Sequence, residues 1–69
     1  MGFNRAKLEE MMAQAGYTTP ALARAMGVHR TTVYLVLTGQ REPGVEFLQG
    51  LSRAWPDVAW ESWYTQPGA

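Results

Sequence analysis

The stretch GVHRTTVYLVLTGQREPG, residues 27–44, decides how this chain folds. Its middle part, residues 31–38, is filled with β-branched and aromatic side chains, which favour a strand because they lose rotamer freedom in a helix. The spacing of the apolar residues does not decide between the two structures. Val33, Val36 and Leu37 share one face of a helix, but strand-like alternation fits the same letters equally well. The neighbouring elements therefore have to decide.

A first helix is predicted before this stretch. Asn4 is a plausible N-cap, and Gly16 ends a segment whose apolar residues recur with helical spacing. One face of this helix carries Leu8, Met11, Met12 and Ala15, at positions i, i+3, i+4 and i+7.

A second, shorter helix is predicted to end before Gly27. Thr18 or Thr19 caps it, and Pro20 lies in its first turn, where the missing N–H group has no helical partner to lose. Its inward face is predicted to consist of Leu22, Ala23 and Met26.

Only residues 27–29 separate the second helix from the ambiguous segment. A three-residue turn that contains glycine, after a helix of about eight residues, is the connection of a helix-turn-helix. We therefore predict a helix over residues 30–38 that ends at Gly39, with tertiary packing overriding local propensity.

Two further helices are predicted after the loop at residues 40–43. Gly44 caps a fourth helix, and Pro56 breaks the chain before a short fifth helix at residues 60–64. The buried side of the fourth helix is predicted to be Val45, Leu48, Leu51 and Trp55. The fold class predicted from the sequence is thus an all-α, compact five-helix domain that spans residues 1–69.

Composition excludes several classes of protein. A chain of 69 residues is one small domain whose core supplies only about 3–5 kcal/mol. It has no cysteine and one histidine, which excludes disulfides and a Cys/His zinc site, and we expect no metal, no cofactor and no small-molecule ligand. No apolar run approaches the roughly 20 residues of a membrane span, and the N-terminus lacks the pattern of a signal peptide. We expect a cytoplasmic, nucleoid-associated protein with no membrane contact.

Charge is divided unevenly along the chain, although the formal net charge is zero. A neutral chain is unusual for a nucleic-acid binder. However, residues 17–41 contain three arginines, His29 and no acidic residue, whereas residues 42–69 contain four acidic residues against Arg53 alone. One half of the protein can therefore attract an anion while the other cannot.

The segment TTPALARAMGVHRTTVYLVLTGQREPGVEFLQGLSRAWPDV, residues 18–58, resembles the Cro/C1-type (XRE, lambda-repressor-like) helix-turn-helix family. The family pattern runs from a capped Leu-Ala helix through Gly-Val and a Thr-Val recognition helix to glycine, a basic loop, proline and a further helix. The headpiece of LacI-type repressors shares part of this pattern but normally lacks a preceding helix. The Cro/C1 type is therefore the better match.

The resemblance implies DNA binding with residues 30–38 as the recognition helix in the major groove. Arginine can bind the O6 and N7 atoms of guanine, threonine can bind a base or a thymine methyl, and leucine can make only apolar contact. By position, the base contacts are expected to be Arg30, Thr31, Tyr34 and Leu35. The phosphate contacts are expected to be Thr18, Thr19, His29, Thr38 and Arg41.

Each of these residues also has a purely structural interpretation. Arg30 could be a solvated surface charge, and Tyr34 and Leu35 could be packing residues. His29 stands where the family usually has a serine or glycine N-cap, so it is either a poor cap, costing about 1 kcal/mol relative to serine, or a phosphate contact.

One feature departs from the family pattern. Many relatives place an arginine four residues before the glycine that ends helix one, and it pairs with a glutamate two residues before the glycine that ends the recognition helix. These positions are Met12 and Leu37 here. Because both have become apolar, we predict that Met12 packs on Leu37, which replaces a charged pair without its desolvation cost.

The expected function is that of a repressor or autoregulator that occupies a promoter as a homodimer on an inverted repeat. An enzyme is not indicated, because His29 has no nucleophile or carboxylate partner at a recognised spacing, so no catalytic residue is assigned. The alternative is a protein-interaction module that keeps the fold without binding DNA, which the zero net charge would permit.

The predicted dimerisation tail comprises residues 56–69. Four large aromatic residues within ten positions offer more apolar surface than one turn of helix can cover in a monomer. Alternatively, Trp55 and Trp63 fold back to close the core of a single chain, and Trp60 is merely exposed. The predicted interface residues are Trp55, Trp60, Trp63 and Tyr64.

Overall fold

The computed structural model describes residues 2–64 of the chain. Over these residues the chain forms four α-helices and then one turn of 3₁₀ helix, and its strand-like pairing is a single antiparallel bridge between Phe3 and Tyr64. The elements are α1 (Arg5–Ala15), α2 (Thr19–Met26), α3 (Arg30–Leu37), α4 (Val45–Ala54) and the 3₁₀ helix (Trp60–Trp63). The all-helical prediction is confirmed, but the predicted fifth α-helix is not, because this last element is a 3₁₀ turn of four residues. No helix in this part of the chain is both long and apolar enough to span a bilayer.

The first two helices begin and end at the expected signals. The Asn4 Oδ1 atom accepts a hydrogen bond of 3.0 Å from the Lys7 backbone N–H, and the Thr18 Oγ1 atom accepts one of 3.2 Å from Ala21. Thr18, and not Thr19, is therefore the cap of α2. Gly27 ends this helix with φ at +75°, a left-handed conformation that favours glycine.

The ambiguous segment is a helix. Val33 and Val36 of α3 are fully buried, so packing outweighs the strand propensity of the β-branched side chains. The helix ends at Leu37, one residue before the predicted end. Thr38 is instead its C-cap, and Gly39 follows with φ at +78°.

Helix α4 packs on α2 through a face that matches the predicted one at Leu51 but is shifted at its start. Phe47, Gly50 and Leu51 are its buried residues, whereas Val45 is 70 % exposed. Val45 precedes Phe47 by two residues, which places it about 200° away around a helix of 3.6 residues per turn. The prediction that Val45 is buried is wrong, and Phe47 takes its place.

The end of the described chain folds back onto its beginning. Trp63 is 1 % exposed, its ring stacks on that of Phe3 with centroids 6.2 Å apart, and its carbonyl oxygen accepts a hydrogen bond of 2.7 Å from the Asn4 N–H. The Lys7 ammonium lies 5.1 Å from the centre of the Trp63 ring. Trp63 is therefore a core residue of a single chain, and this burial removes it from the predicted dimer interface.

Most of the remaining aromatic surface is also used within the chain. Trp55 packs between Tyr17 and Trp63, with ring centroids 5.6 Å from each, and Tyr64 meets Phe3 edge to face at 5.9 Å. Trp60 alone among the four predicted interface residues is largely exposed, at 56 %. Residues 65–69 of the predicted tail lie outside the described residues.

Candidate nucleic-acid interface

The start of α3 is capped by a histidine side chain. The His29 Nδ1 atom accepts a hydrogen bond of 3.1 Å from the Thr31 backbone N–H. An imidazole whose Nδ1 accepts such a bond carries its N–H group on Nε2. His29 thus serves as the N-cap and still has an N–H group that can donate to a phosphate oxygen.

The outer face of α3 presents the predicted base-reading residues. Arg30 and Thr31 are exposed, and Tyr34 is 55 % exposed, while Val33 and Val36 anchor the opposite face in the core. Leu35 is half-buried at the edge of this face. The helix therefore offers an arginine, a threonine and a tyrosine to a partner.

The N-terminus of α2 lies beside this face. A shallow cleft of about 310 Å³ is lined by Thr19, Pro20, Arg30, Thr31 and Tyr34. The cleft brings together a predicted phosphate contact from α2 and three predicted base contacts from α3. The two helices of the motif thus form one continuous surface.

A second, larger groove lies on the other side of α3. It has a volume of about 600 Å³ and lies between the turn that precedes α3 and the loop that leads to α4. His29 and Arg41, both predicted phosphate contacts, line it together with the N-terminus of α4. The same groove contains Glu42 and Glu46, two carboxylates that the sequence interpretation did not place next to the interface.

The N-terminus of α4 has no side-chain cap, because its N-cap is Gly44. Free N–H groups and the positive end of the helix dipole make such a position favourable for an anion. Glu46 lies in the first turn of the helix, where its charge opposes a second anion.

The Thr38 hydroxyl is already engaged in the fold. Its Oγ1 atom donates to the Tyr34 carbonyl oxygen at 3.0 Å and accepts from the Gln40 Nε2 atom at 2.9 Å. A hydroxyl has one proton, so Thr38 must give up its backbone bond before it can donate to a phosphate. The exposed Gln40 amide keeps a second N–H group that can donate. The sequence interpretation did not name Gln40 as a phosphate contact, because in the sequence it looks like an ordinary loop residue.

Arg53 of α4 forms a hydrogen bond to the start of the turn between α2 and α3. Its Nη1 atom donates a hydrogen bond of 2.7 Å to the carbonyl oxygen of Met26, the last residue of α2. This charge-assisted bond satisfies a carbonyl that the helix leaves without a partner at its C-terminus. No local pattern indicates this bond, since Arg53 and Met26 are 27 residues apart in the sequence.

Residues 8–54 of the chain match the family model described as helix-turn-helix, that of the Cro/C1-type XRE proteins. The chain belongs to the Cro/C1-type helix-turn-helix family. Neither a curated protein nor a solved structure gives a significant match. The family is one of DNA-binding transcription regulators, so the partner implied for this helix-turn-helix protein is double-stranded DNA.

The match places the motif where the structure has it. It covers α2, the turn and α3, together with α4 and most of α1. In this helix-turn-helix protein α3 is therefore the element at the position of the family's recognition helix. Across residues 2–64 no group of three or more His, Cys, Asp or Glu side chains is arranged to hold a metal ion.

Proposed function

We propose that this protein is a sequence-specific transcription regulator that places α3 in the major groove of its operator and acts as a repressor or autoregulator. The observation that carries the proposal is the outer face of α3, where Arg30, Thr31 and Tyr34 are exposed next to the N-terminus of α2. Residues 17–41, which contain this face, have no acidic residue. Such a surface attracts the phosphate backbone and offers side chains that read bases.

Sequence reading is assigned mainly to Arg30. Its guanidinium can donate two hydrogen bonds to the O6 and N7 atoms of one guanine, a contact that discriminates against other bases by about 1–3 kcal/mol. Thr31 can bind a base edge through its hydroxyl or its methyl group. Leu35, half-buried at the edge of the helix, can add an apolar contact.

Positioning of the protein on the DNA backbone is assigned to groups on either side of α3. Thr18 and Thr19 bring the N-terminus of α2 to one phosphate, and His29 and Arg41 bring the second groove to the backbone on the other side. Because the Thr38 hydroxyl already donates to a backbone carbonyl oxygen, the Gln40 side-chain amide is proposed as an additional phosphate contact.

We further propose that the protein acts as a homodimer on an inverted repeat. Two copies related by a two-fold axis can place their α3 helices in successive major grooves, about 34 Å apart. Engaging both half-sites raises affinity without new contacts, which suits a chain of zero net charge. The exposed Trp60 is the residue proposed at the dimer contact, together with Tyr64, whose ring meets that of Trp60 edge to face with centroids 6.3 Å apart.

Selection of bound duplexes from a random library tests the proposal. The wild-type protein should recover one inverted repeat. Arg30→Ala should lose about 1–3 kcal/mol on that site and relax the preference at one base pair, whereas Arg41→Ala should weaken all sequences alike. Arg24→Ala removes the same charge from α2 outside both cavities and serves as the control. Equal loss on selected and random duplexes for Arg30→Ala would remove it from the reading role.

Sedimentation of the complex tests the dimer. Two chains on each selected duplex are expected, and Trp60→Ala should weaken the binding of the second chain to that duplex. One chain on a site without two-fold symmetry would contradict the dimer while leaving DNA binding intact.

A protein-interaction module that keeps this fold remains the alternative function. Glu42 and Glu46 favour it, because two carboxylates next to Arg41 reduce the attraction for phosphate. Such a module would not select any duplex.

A further inference from the structure

We infer that the cleft between α2 and α3 reads a methyl group: it receives the 5-methyl group of a pyrimidine, thymine or 5-methylcytosine, next to the guanine that Arg30 binds. The inference rests on the proposed function, since it needs α3 in the major groove. It adds a ligand that the family match does not specify, and it gives Tyr34 a role other than a hydrogen bond to a base.

The walls of this cleft are almost entirely apolar. Pro20 comes from the first turn of α2 and Tyr34 from the outer face of α3, and the phenol ring is 55 % exposed. An aromatic ring and a proline exposed side by side leave apolar surface in water, which is unfavourable unless a partner covers it.

Arg30 lies in the wall of the same cleft. When its guanidinium binds the edge of a guanine, the cleft is held at the level of the bases, next to the neighbouring base pair. In the major groove the edges of the bases carry hydrogen-bond donors and acceptors, and the one apolar group among them is the C5 methyl of thymine. 5-Methylcytosine carries the same methyl group at the same atom.

The geometry of a base step gives the order of the two bases. A pyrimidine on the 5′ side of a guanine directs its C5 substituent towards the side chain that binds the guanine. The methyl group can then pack against the flat guanidinium of Arg30 and enter the space between Pro20 and Tyr34. The preferred step is therefore thymine followed by guanine, or 5-methylcytosine followed by guanine.

This arrangement makes DNA binding sensitive to cytosine methylation. An unmethylated cytosine at the same position leaves the cleft partly empty. Methylation of that cytosine fills it and should strengthen binding, so a base modification can act on the regulator without a change of sequence.

The test begins with the site that the wild-type protein selects. The guanine is the base whose preference Arg30→Ala relaxes, and its 5′ neighbour is then varied in synthetic duplexes. Comparing thymine with uracil, and 5-methylcytosine with cytosine, changes one methyl group without changing the base pair. In both pairs the methylated base should bind about fourfold tighter, the ratio that corresponds to burying one methylene group.

Tyr34→Ala should bring both ratios close to one, because it removes a wall of the cleft. Gln49→Ala, an exposed position of α4 outside the cleft, is the matched control and should leave both ratios unchanged. A wild-type ratio of one with specific binding intact overturns the inference alone and points to a deoxyribose in the cleft. Full ratios in Tyr34→Ala also overturn it. Failure to select any duplex overturns the proposed function, and the inference with it.

Discussion

Gly50 of α4 lies directly against the last residue of α2, Met26. A Cβ atom placed on Gly50 would lie 2.9 Å from the Met26 carbonyl oxygen and 2.8 Å from the Met26 Cβ atom. A backbone oxygen cannot move away as a flexible side chain can, so this position requires glycine. The close approach also brings Arg53 of α4 to the same carbonyl oxygen.

Gly50→Ala should therefore destabilise the protein although alanine is the better helix former. We expect the free energy of unfolding to fall by about 1–3 kcal/mol, the usual cost of overpacking a core. Urea denaturation followed by tryptophan fluorescence measures the change. Gln49→Ala, at an exposed neighbour in the same helix, should have little effect. If the Gly50→Ala variant is as stable as the parent, α2 and α4 can move apart at this point without cost, and the close approach does not require glycine.

The His29 cap predicts a ranking of stabilities. Serine is a better N-cap than histidine, whereas alanine provides no acceptor for the Thr31 N–H. His29→Ser should be at least as stable as the parent, and His29→Ala should lose about 0.5–2 kcal/mol. The same urea titration checks the order. Equal stability of the alanine and serine variants would mean that the cap bond contributes nothing.

The apolar replacement of the family's charged pair predicts a coupling between α1 and α3. Met12 is buried in the core and Leu37 is half-buried against the same core. Leu37→Glu should lower the free energy of unfolding by several kcal/mol, because it places an unpaired charge against this core. Leu37→Met, which keeps volume and polarity, should cost less than about 1.5 kcal/mol.

The double variant Met12→Arg with Leu37→Glu distinguishes a contact from two separate effects. If the residues touch, its loss should be smaller than the sum of the two single losses. Strict additivity, or a Leu37→Glu protein as stable as the parent, would count against the contact.

Because two carboxylates lie in the same groove as Arg41, we expect the affinity for DNA to be lower than it would be without them. Replacing Glu46 by glutamine removes a negative charge from the groove at the N-terminus of α4. We expect affinity for any duplex to rise about two- to fivefold at low salt, and the gain to shrink as salt screens the charge. Glu9→Gln on α1, outside both cavities, is the control. No gain for Glu46→Gln would mean that this groove does not face the phosphate backbone.

Local signals predicted most of the motif. The caps at Asn4 and Thr18 and the glycine after α2 are each readable within a few residues, and so are the bounds of α1 and α2. The helical state of α3 was predicted only because the three-residue turn outweighed the strand propensity of its side chains. The proposed base-reading residues follow from the register of α3, so they could be named once that helix was assigned.

What could not be predicted depends on contacts between distant residues. The sequence left open whether Trp63 joins a dimer contact or closes the core of one chain, and only its contact with Phe3, at the other end of the chain, decides for the core. The inward face of α4 depends on Gly50. In the sequence, a glycine inside a helix predicts only a loss of helix stability, and its close approach to Met26 shows why glycine is needed there. The cleft and the groove likewise need residues from two elements each, and no local pattern in the sequence shows them.

Binding to the selected duplex and to a scrambled duplex, each measured over a range of salt concentrations, tests the central claim most directly. Phosphate contact predicts that the logarithm of the binding constant falls linearly with the logarithm of the salt concentration for both duplexes. Base reading by α3 predicts that the selected duplex binds at least about a thousandfold tighter than the scrambled one at physiological salt. Equal affinity for the two duplexes, or no binding to either at low salt, would contradict the account.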